Sequence, residues 1–125
     1  MTNANPHKTS GLRRLVNALR YSLSGLFLAW RDESAFRQEA IFAIVLVPVA
    51  FMVPVDVTQR VLLVASVMLV LMVEMINSSI EAVVDRISLD IHPLAKKAKD
   101  MGSAAVLLAL MNAILIWAMI LWPLR

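Results

Sequence analysis

The chain has 125 residues, and apolar residues make up 60% of them, well above the roughly 45–50% of soluble globular domains. A chain of this length cannot bury so much apolar surface in a soluble core, so the composition excludes an ordinary soluble domain and indicates an all-α membrane protein. The absence of cysteine excludes disulfides and thiolate metal sites, and the basic residues behind the formal net charge of +3 flank apolar stretches instead of forming a nucleic-acid-binding patch.

The first element predicted along the chain is an amphipathic helix over residues 9–31. Between Leu12 and Trp30, apolar residues recur at intervals of three and four, and polar residues such as Arg13 and Arg14 lie between them. A helix with arginine on one face and leucine, phenylalanine and tryptophan on the other is expected to lie in the plane of the lipid headgroups. We therefore predict a surface helix that does not cross the membrane.

Three apolar stretches follow, and each is long enough to cross the hydrocarbon layer, which takes about 20 apolar residues. Asp56 or Thr58 is a suitable N-cap for the second stretch. Trp117 and Trp122, near the end of the third, suit an interfacial aromatic belt. The predicted transmembrane helices are 36–55, 59–86 and 94–122, and with the surface helix they make a single domain over residues 1–125.

The distribution of basic residues predicts the orientation of the chain. Lysine and arginine are concentrated before the first predicted span and between the second and third spans, whereas few lie elsewhere. Because cytoplasmic segments of membrane proteins carry an excess of lysine and arginine, the N-terminus and the loop 86–93 are expected in the cytoplasm. The short turn 54–59 and the C-terminus are then expected outside.

A polar stripe occupies one face of the second predicted span. Glu74, Asn77, Ser78, Glu81 and Asp85 all fall within about 60° of one direction when residues advance by 100° around a helix. An ionisable group in the hydrocarbon costs at least about 2.5–3.5 kcal/mol on insertion scales. A stripe with three carboxylates therefore requires a compensating function or partner.

Two interpretations of the stripe differ in what they expect of its carboxylates. Asn77 and Ser78 alone are compatible with simple hydrogen bonding between helices. Clustered carboxylates, however, repel each other unless they are protonated, paired with cations or bound to a metal. Carboxylates beside basic residues such as Lys99 are suited to Mg²⁺ and phosphate, because Mg²⁺ prefers one or two carboxylates together with substrate phosphates. The stripe therefore favours a functional site.

Two further patterns narrow the function. The chain has only three glycines, so it has no glycine-rich phosphate-binding loop, and a nucleotide would be held by metal, carboxylates and basic side chains. A small ion or proton channel lined by Glu74 and Glu81 is an alternative from another class. Residues 61–73 offer only Ser66 as a polar group, so the sequence does not support a continuous conduit.

These residues resemble the small bacterial integral-membrane diacylglycerol kinase family. The likeness covers nearly the whole chain from Arg14 onward, and its most specific part combines the run containing Glu74 with the run that begins at Ala98. The matching runs are Glu33–Glu39, Arg60–Leu63, Ser66–Val70, Val73–Glu74 with Asn77–Arg86, and Ala98–Val106.

The resemblance implies a lipid kinase of the bacterial inner membrane. Such an enzyme transfers the γ-phosphoryl group of MgATP to the primary hydroxyl of diacylglycerol and makes phosphatidic acid. The family works as a homotrimer whose active sites draw on more than one subunit, with ATP, Mg²⁺ and membrane lipid as partners. A polyprenol kinase such as an undecaprenol kinase, a sister activity on the same scaffold, remains an alternative.

The resemblance also implies roles for individual residues. Glu74 corresponds to the general base, and Glu33 and Glu81 correspond to the metal-binding glutamates. The implied ATP-binding residues are Arg14, Tyr21, Glu33, Asn77, Glu81, Asp90, Ile91, His92, Lys99 and Asp100. The implied lipid-substrate residues are Arg14, Ser22, Trp30, Ala35, Phe36, Arg37, Gln38, Glu39, Arg60, Glu74, Ser103 and Trp117.

Three positions depart from the family pattern. Leu23 stands where the family has a tryptophan, Pro93 follows His92 in the loop, and Asn112 replaces an apolar residue. The first departure is expected to alter lipid contacts and the second the loop beside the nucleotide, whereas Asn112 is expected to make a helix contact. None of the three removes a carboxylate.

Overall fold

The computed structural model describes residues 10–124, all of whose regular elements are helical. The predicted all-α class is therefore confirmed, although residue 9, the predicted start of the first helix, lies outside the described residues. The elements are α1 Gly11–Asp32, α2 Ser34–Met52, α3 Val57–Ile87, α4 Pro93–Leu121 and a final 3₁₀ turn Trp122–Leu124.

Three of the helices are long and apolar enough to cross a membrane: α2, α3, and α4 with its 3₁₀ turn. The three predicted spans are therefore present, but the predicted end of the first, residue 55, is wrong. Helix α2 ends at Met52, because Val53 precedes Pro54 and takes an extended conformation. The ring of a proline disfavours the helical conformation of the residue before it.

Helix α3 begins two residues earlier than predicted, because Asp56 is its N-cap. The Asp56 side chain accepts a hydrogen bond from the backbone N–H of Gln59 at 2.8 Å, and the Gln59 side chain accepts one from the backbone N–H of Asp56 at 3.2 Å. This reciprocal capping box satisfies two backbone donors that a helix start otherwise leaves unpaired. Of the two candidate caps, Asp56 is confirmed and Thr58 lies inside the helix.

Helix α3 packs against both α2 and α4, whereas α1 contacts α2. Small buried residues let the helix backbones approach closely, as is typical of membrane helix pairs. The residues buried where the helices meet are Ala43 and Ala50 of α2, Leu63, Val67 and Val70 of α3, and Gly102 and Ala109 of α4.

Trp117 joins α4 to α3 through a polar contact inside the bundle. Its indole N–H donates to the Ser66 hydroxyl oxygen and to the Leu63 carbonyl, both at 3.2 Å. Ser66 is only 3% exposed, and its hydroxyl also donates to the Leu63 carbonyl at 2.8 Å. The single polar residue in the apolar half of α3 is therefore used for helix packing, and the polar edge of Trp117 points inward.

Arg60 fastens the end of α2 to the start of α3. Its guanidinium donates to the carbonyls of Ala50, Val53 and Val55 at 3.0, 3.2 and 3.3 Å. These carbonyls lie at a helix end, where backbone acceptors lack partners within the helix. Arg60 also precedes Glu74 by 14 residues, so the two residues lie about 21 Å apart along α3.

Asn112 is exposed on the outer surface of α4 within a single chain. It lies among Leu108, Met111 and Leu115. The expected helix contact of Asn112 therefore stays a prediction.

Candidate active site

The junction between α1 and α2 is built around one arginine and the residue that links the two helices. Glu33 is the only residue between α1 and α2. Arg37 donates from one nitrogen to the carbonyls of Trp30 and Arg31, at 2.9 and 2.8 Å, and so caps the end of α1. Arg37, which the resemblance assigned to lipid, therefore has a backbone-binding role that holds the helices flanking Glu33.

The carboxylate next to Glu33 is already paired. Arg31 donates from two nitrogens to the two oxygens of Asp32, at 2.7 and 2.8 Å. This charged hydrogen bond lowers the pKa of Asp32 below its ordinary value and raises that of Arg31. Asp32 therefore stays ionised and bound to Arg31, whereas Glu33 has no such ion pair among the described residues.

Four carboxylates, from the α1–α2 junction, α2 and α3, lie close enough for their charges to interact. The charges of Glu33, just before α2, and of Glu81, about two turns further along α3, act on Glu74 of α3, and the charge of Glu74 acts on Glu39 of α2. We call these four residues the carboxylate cluster. Repulsion among four like charges favours the binding of protons or cations at this place.

Glu74 is at the centre of the cluster and is only 4% exposed. The Ser78 hydroxyl donates to its Oε1 at 3.4 Å, and the Asn77 amide also interacts with its carboxylate. One carboxylate oxygen of Glu39 is buried without a hydrogen-bond partner among the described residues. Two carboxylates of the cluster are therefore largely shielded from water, and neither has a salt bridge to a basic residue among residues 10–124.

The cluster is suited to a metal that is completed by other ligands. Within residues 10–124, no three side chains of the ligating types are arranged to hold an ion by themselves. Mg²⁺ commonly takes only one or two carboxylates and completes its shell with waters and phosphate oxygens. Glu33 and Glu81 fit such a partial shell, because neither has an ion-pair partner among the described salt bridges.

An ion pair connects the stripe to α4. Lys99 Nζ lies 2.6 Å from Asp85 Oδ1, and the charge of Glu81 also acts on Lys99. Asp85 belongs to the predicted stripe but was not among the predicted site residues. Asp85 could have been predicted as a site residue, because it lies four residues after Glu81 and therefore on the same helix face.

An open hollow of about 320 Å³ lies where α3 ends and α4 begins. The His92 Nδ1 accepts a hydrogen bond from the Leu94 backbone N–H at 3.1 Å, so His92 caps α4, and Pro93 occupies the first helical position, where proline is favoured. Asp100 is paired with Lys96 at the rim. This loop hollow gathers five predicted nucleotide contacts, Asp90, Ile91, His92, Lys99 and Asp100, beside Asp85.

A second cavity, of about 350 Å³, is an apolar groove between α2, α3 and α4. Of the described residues that line it, Glu39 is the only ionisable one, and Trp117 lines it as well. An apolar groove with one carboxyl group suits a chain of hydrocarbon that ends in a polar group. The apolar groove is lined by Glu39, Phe42, Leu46, Val67, Val70, Leu110, Ala113, Ile114 and Trp117.

Several predicted site residues lie elsewhere in the single chain. Arg14, Tyr21 and Ser22 are exposed on α1, and Arg14 is 19 residues, or about 28 Å along the helix, from Glu33. The Ser22 hydroxyl donates to the Ala18 carbonyl of its own helix. Within one chain, Arg14 therefore lies far from the carboxylate cluster, and Tyr21 and Ser22 face outward.

The predicted lipid-substrate residues of α2 and α4 separate by exposure. Ala35 and Gln38 are exposed at the start of α2, as is Ser103 on α4, so they are available to lipid. Phe36 is only 6% exposed. Its ring is therefore buried within the single chain, and its predicted contact with lipid stays a prediction.

Three spans with an acidic site at one end define an integral membrane protein that can bind a cation or a charged ligand beside the lipid. The chain matches the family model for prokaryotic diacylglycerol kinase over residues 20–121. It is 50% identical to a diacylglycerol kinase of Escherichia coli K12 over 116 residues, which are 93% of this chain and 95% of the relative.

Two further relatives have the same name. A diacylglycerol kinase of Pseudomonas aeruginosa PAO1 is 52% identical over 112 residues, which cover 90% of this chain and 91% of the relative. One of Haemophilus influenzae Rd is 42% identical over 116 residues, with coverage of 93% and 98%. The chain therefore belongs to the prokaryotic diacylglycerol kinase family and is a multi-pass protein of the inner membrane.

Proposed function

We propose that this protein transfers the γ-phosphoryl group of ATP to the primary hydroxyl of diacylglycerol and so makes phosphatidic acid. The observation that carries the proposal is the position of the carboxylate cluster between two cavities. Glu39 of the cluster lines the apolar groove, whereas Glu81 lies beside Lys99, which lines the loop hollow. A membrane-bound hydroxyl and a water-soluble phosphate donor can therefore meet at the cluster.

Glu74 is the general base of this proposal. Its buried carboxylate takes the proton of the lipid hydroxyl as that oxygen forms a bond to the γ-phosphorus, and the bond to the bridging oxygen of ADP breaks. The proton then passes to solvent. The Ser78 hydroxyl, at 3.4 Å, helps to hold the carboxylate in place. Phosphoryl transfer requires mainly positioning and neutralisation of charge, so few special residues are needed.

Glu33 and Glu81 are proposed to hold Mg²⁺ together with the phosphates of ATP. The bound ion would neutralise charge on the transferring group. Lys99 is positioned to reach the same phosphates by exchanging Asp85 for a phosphate oxygen, since both side chains are about half exposed. The loop residues Asp90, Ile91 and His92 with Asp100 then form the remaining wall of the nucleotide site.

The position of α1 supports a homotrimer with shared sites. Arg14 lies about 28 Å along α1 from Glu33 of its own chain, and Tyr21 and many large apolar side chains of the single chain are exposed. We propose that a second subunit supplies α1 residues to each site. With the N-terminus and the loop hollow in the cytoplasm and the C-terminus outside, α1 lies on the headgroup layer on the side where ATP is available.

A parallel assay of acceptor lipids tests the proposal. Purified protein in mixed micelles receives labelled ATP and Mg²⁺ with either diacylglycerol or undecaprenol, because the apolar groove could also hold a polyprenol chain. We expect diacylglycerol to be phosphorylated at a rate at least about tenfold higher, and heat-inactivated protein serves as the control. Faster labelling of undecaprenol would overturn the choice of acceptor, and no labelled lipid at all would overturn the kinase.

A further inference from the structure

Gly102 lies where α4 crosses the polar stripe of α3. The space that a side chain at position 102 would take is occupied by the side chain of Asn77. A Cβ atom added at Gly102 would lie 2.2 Å from Asn77 Oδ1 and 3.3 Å from Asn77 Cγ. The first distance is shorter than real Cβ contacts allow. The side chain of Asn77 therefore occupies the space that any other residue at position 102 would need.

The conformational freedom of glycine does not explain Gly102. The residue is helical, and no residue in the described part of the chain has a positive φ. Glycine inside a helix is less stable than alanine, because it loses more backbone entropy on folding. A side chain at position 102 would have to displace the Asn77 amide, which is itself only 8% exposed.

The orientation of the Asn77 amide follows from its two neighbours. Asn77 is only 8% exposed, and its Oδ1 has no hydrogen-bond partner among residues 10–124. The amide also interacts with the Glu74 carboxylate. The reverse orientation would put the amide oxygen against a carboxylate oxygen, where two acceptors repel each other. The amide NH₂ is therefore directed to Glu74 while Oδ1 is directed to Gly102.

We propose that Gly102 is a positioning residue for phosphoryl transfer. By leaving room for Oδ1, it lets the Asn77 NH₂ group hold the Glu74 carboxylate in the orientation that accepts the proton of the lipid hydroxyl. The inference rests on the proposed role of Glu74 as the general base. It assigns to α4 a contribution to the reaction that is made through Asn77 and not through contact with substrate.

The test compares Gly102→Ala with Gly25→Ala in the full-length protein. A Cβ at Gly25 would meet only Met75 Cε, at 4.0 Å, so this control is expected to keep the activity of the unchanged protein. We expect Gly102→Ala to lower kcat about 10-fold or more, whereas KM for MgATP and for diacylglycerol stays within about twofold, because the reacting groups and not the binding sites are displaced.

A double variant separates positioning from simple packing. Asn77→Ala removes the amide that Gly102→Ala displaces, so the double variant is expected to have the same kcat as Asn77→Ala alone and to regain the thermal stability that Gly102→Ala loses. Folded Gly102→Ala with kcat within twofold of the unchanged protein would overturn the inference, as would losses that multiply in the double variant. If Gly25→Ala and the unchanged protein both transfer no phosphate, the kinase proposal itself fails.

Discussion

A Glu74→Gln variant is expected to lose phosphoryl transfer by about 10²–10⁴-fold in kcat, the range that general base catalysis contributes. Glutamine keeps the size of the side chain and can still accept the Ser78 hydrogen bond, but it cannot take a proton from the lipid hydroxyl. The measurement is the initial rate of ATP-dependent labelling of diacylglycerol in mixed micelles. KM for ATP is expected to change little, because Glu74 is assigned to the acceptor side.

Asp56→Asn is the matched control for the same chemical change. Asp56 caps α3 and lies 18 residues, or about 27 Å, before Glu74, and asparagine is an equally good N-cap. This variant is expected to keep full activity. Substantial turnover by folded Glu74→Gln would remove Glu74 as the base.

Glu33→Gln and Glu81→Gln are expected to raise the Mg²⁺ concentration for half-maximal rate by about 10–100-fold or more. Mutation of residues that only hydrogen-bond to metal ligands already lowers metal affinity by about 10–100-fold, and both glutamates are proposed to bind the ion directly. The measurement is a Mg²⁺ titration at fixed ATP. High Mg²⁺ is expected to restore part of the rate in these variants but not in Glu74→Gln, and an unchanged titration curve would contradict their role as ligands.

The helices could be predicted from the sequence because their signals are local. Apolar length predicted three spans, and a short polar side chain before the second span predicted the Asp56 cap. The end of α2 was misplaced, because apolarity continues to Val55 while the steric effect of Pro54 stops the helix at Met52. Membrane hydropathy and helix geometry are separate properties, and only the second sets this boundary.

The roles of two arginines could not be predicted from the sequence, for a different reason. Arg37 and Arg60 were assigned to lipid by resemblance, yet in the chain both bind backbone carbonyls at helix ends. The sequence does not distinguish an arginine that binds lipid from one that binds backbone carbonyls. Every residue has a backbone carbonyl, so no particular residue type marks the second role. Only the fold shows which carbonyls lie within reach.

Part of the candidate site could also be predicted from the sequence, and part could not. The stripe of α3 follows from 100° per residue, and Glu74 and Asn77 are indeed the polar residues of that stripe that become buried. Glu39 and Lys99 join it from other helices, and the contact between Gly102 and Asn77 depends on where α4 crosses α3. Periodicity within one helix contains no information on that crossing. The family resemblance identified the candidate site residues, whereas their contacts with other helices are seen only in the folded structure.

Proteoliposomes containing diacylglycerol offer the most direct test of whether the carboxylate cluster serves phosphoryl transfer and not conduction. Labelled ATP and Mg²⁺ are added to one sample, and ion flux without ATP is followed in another. We expect labelled phosphatidic acid in many molar equivalents of the protein, and no ion flux above that of protein-free vesicles. Ion flux without ATP together with unlabelled lipid would contradict a kinase and support a channel.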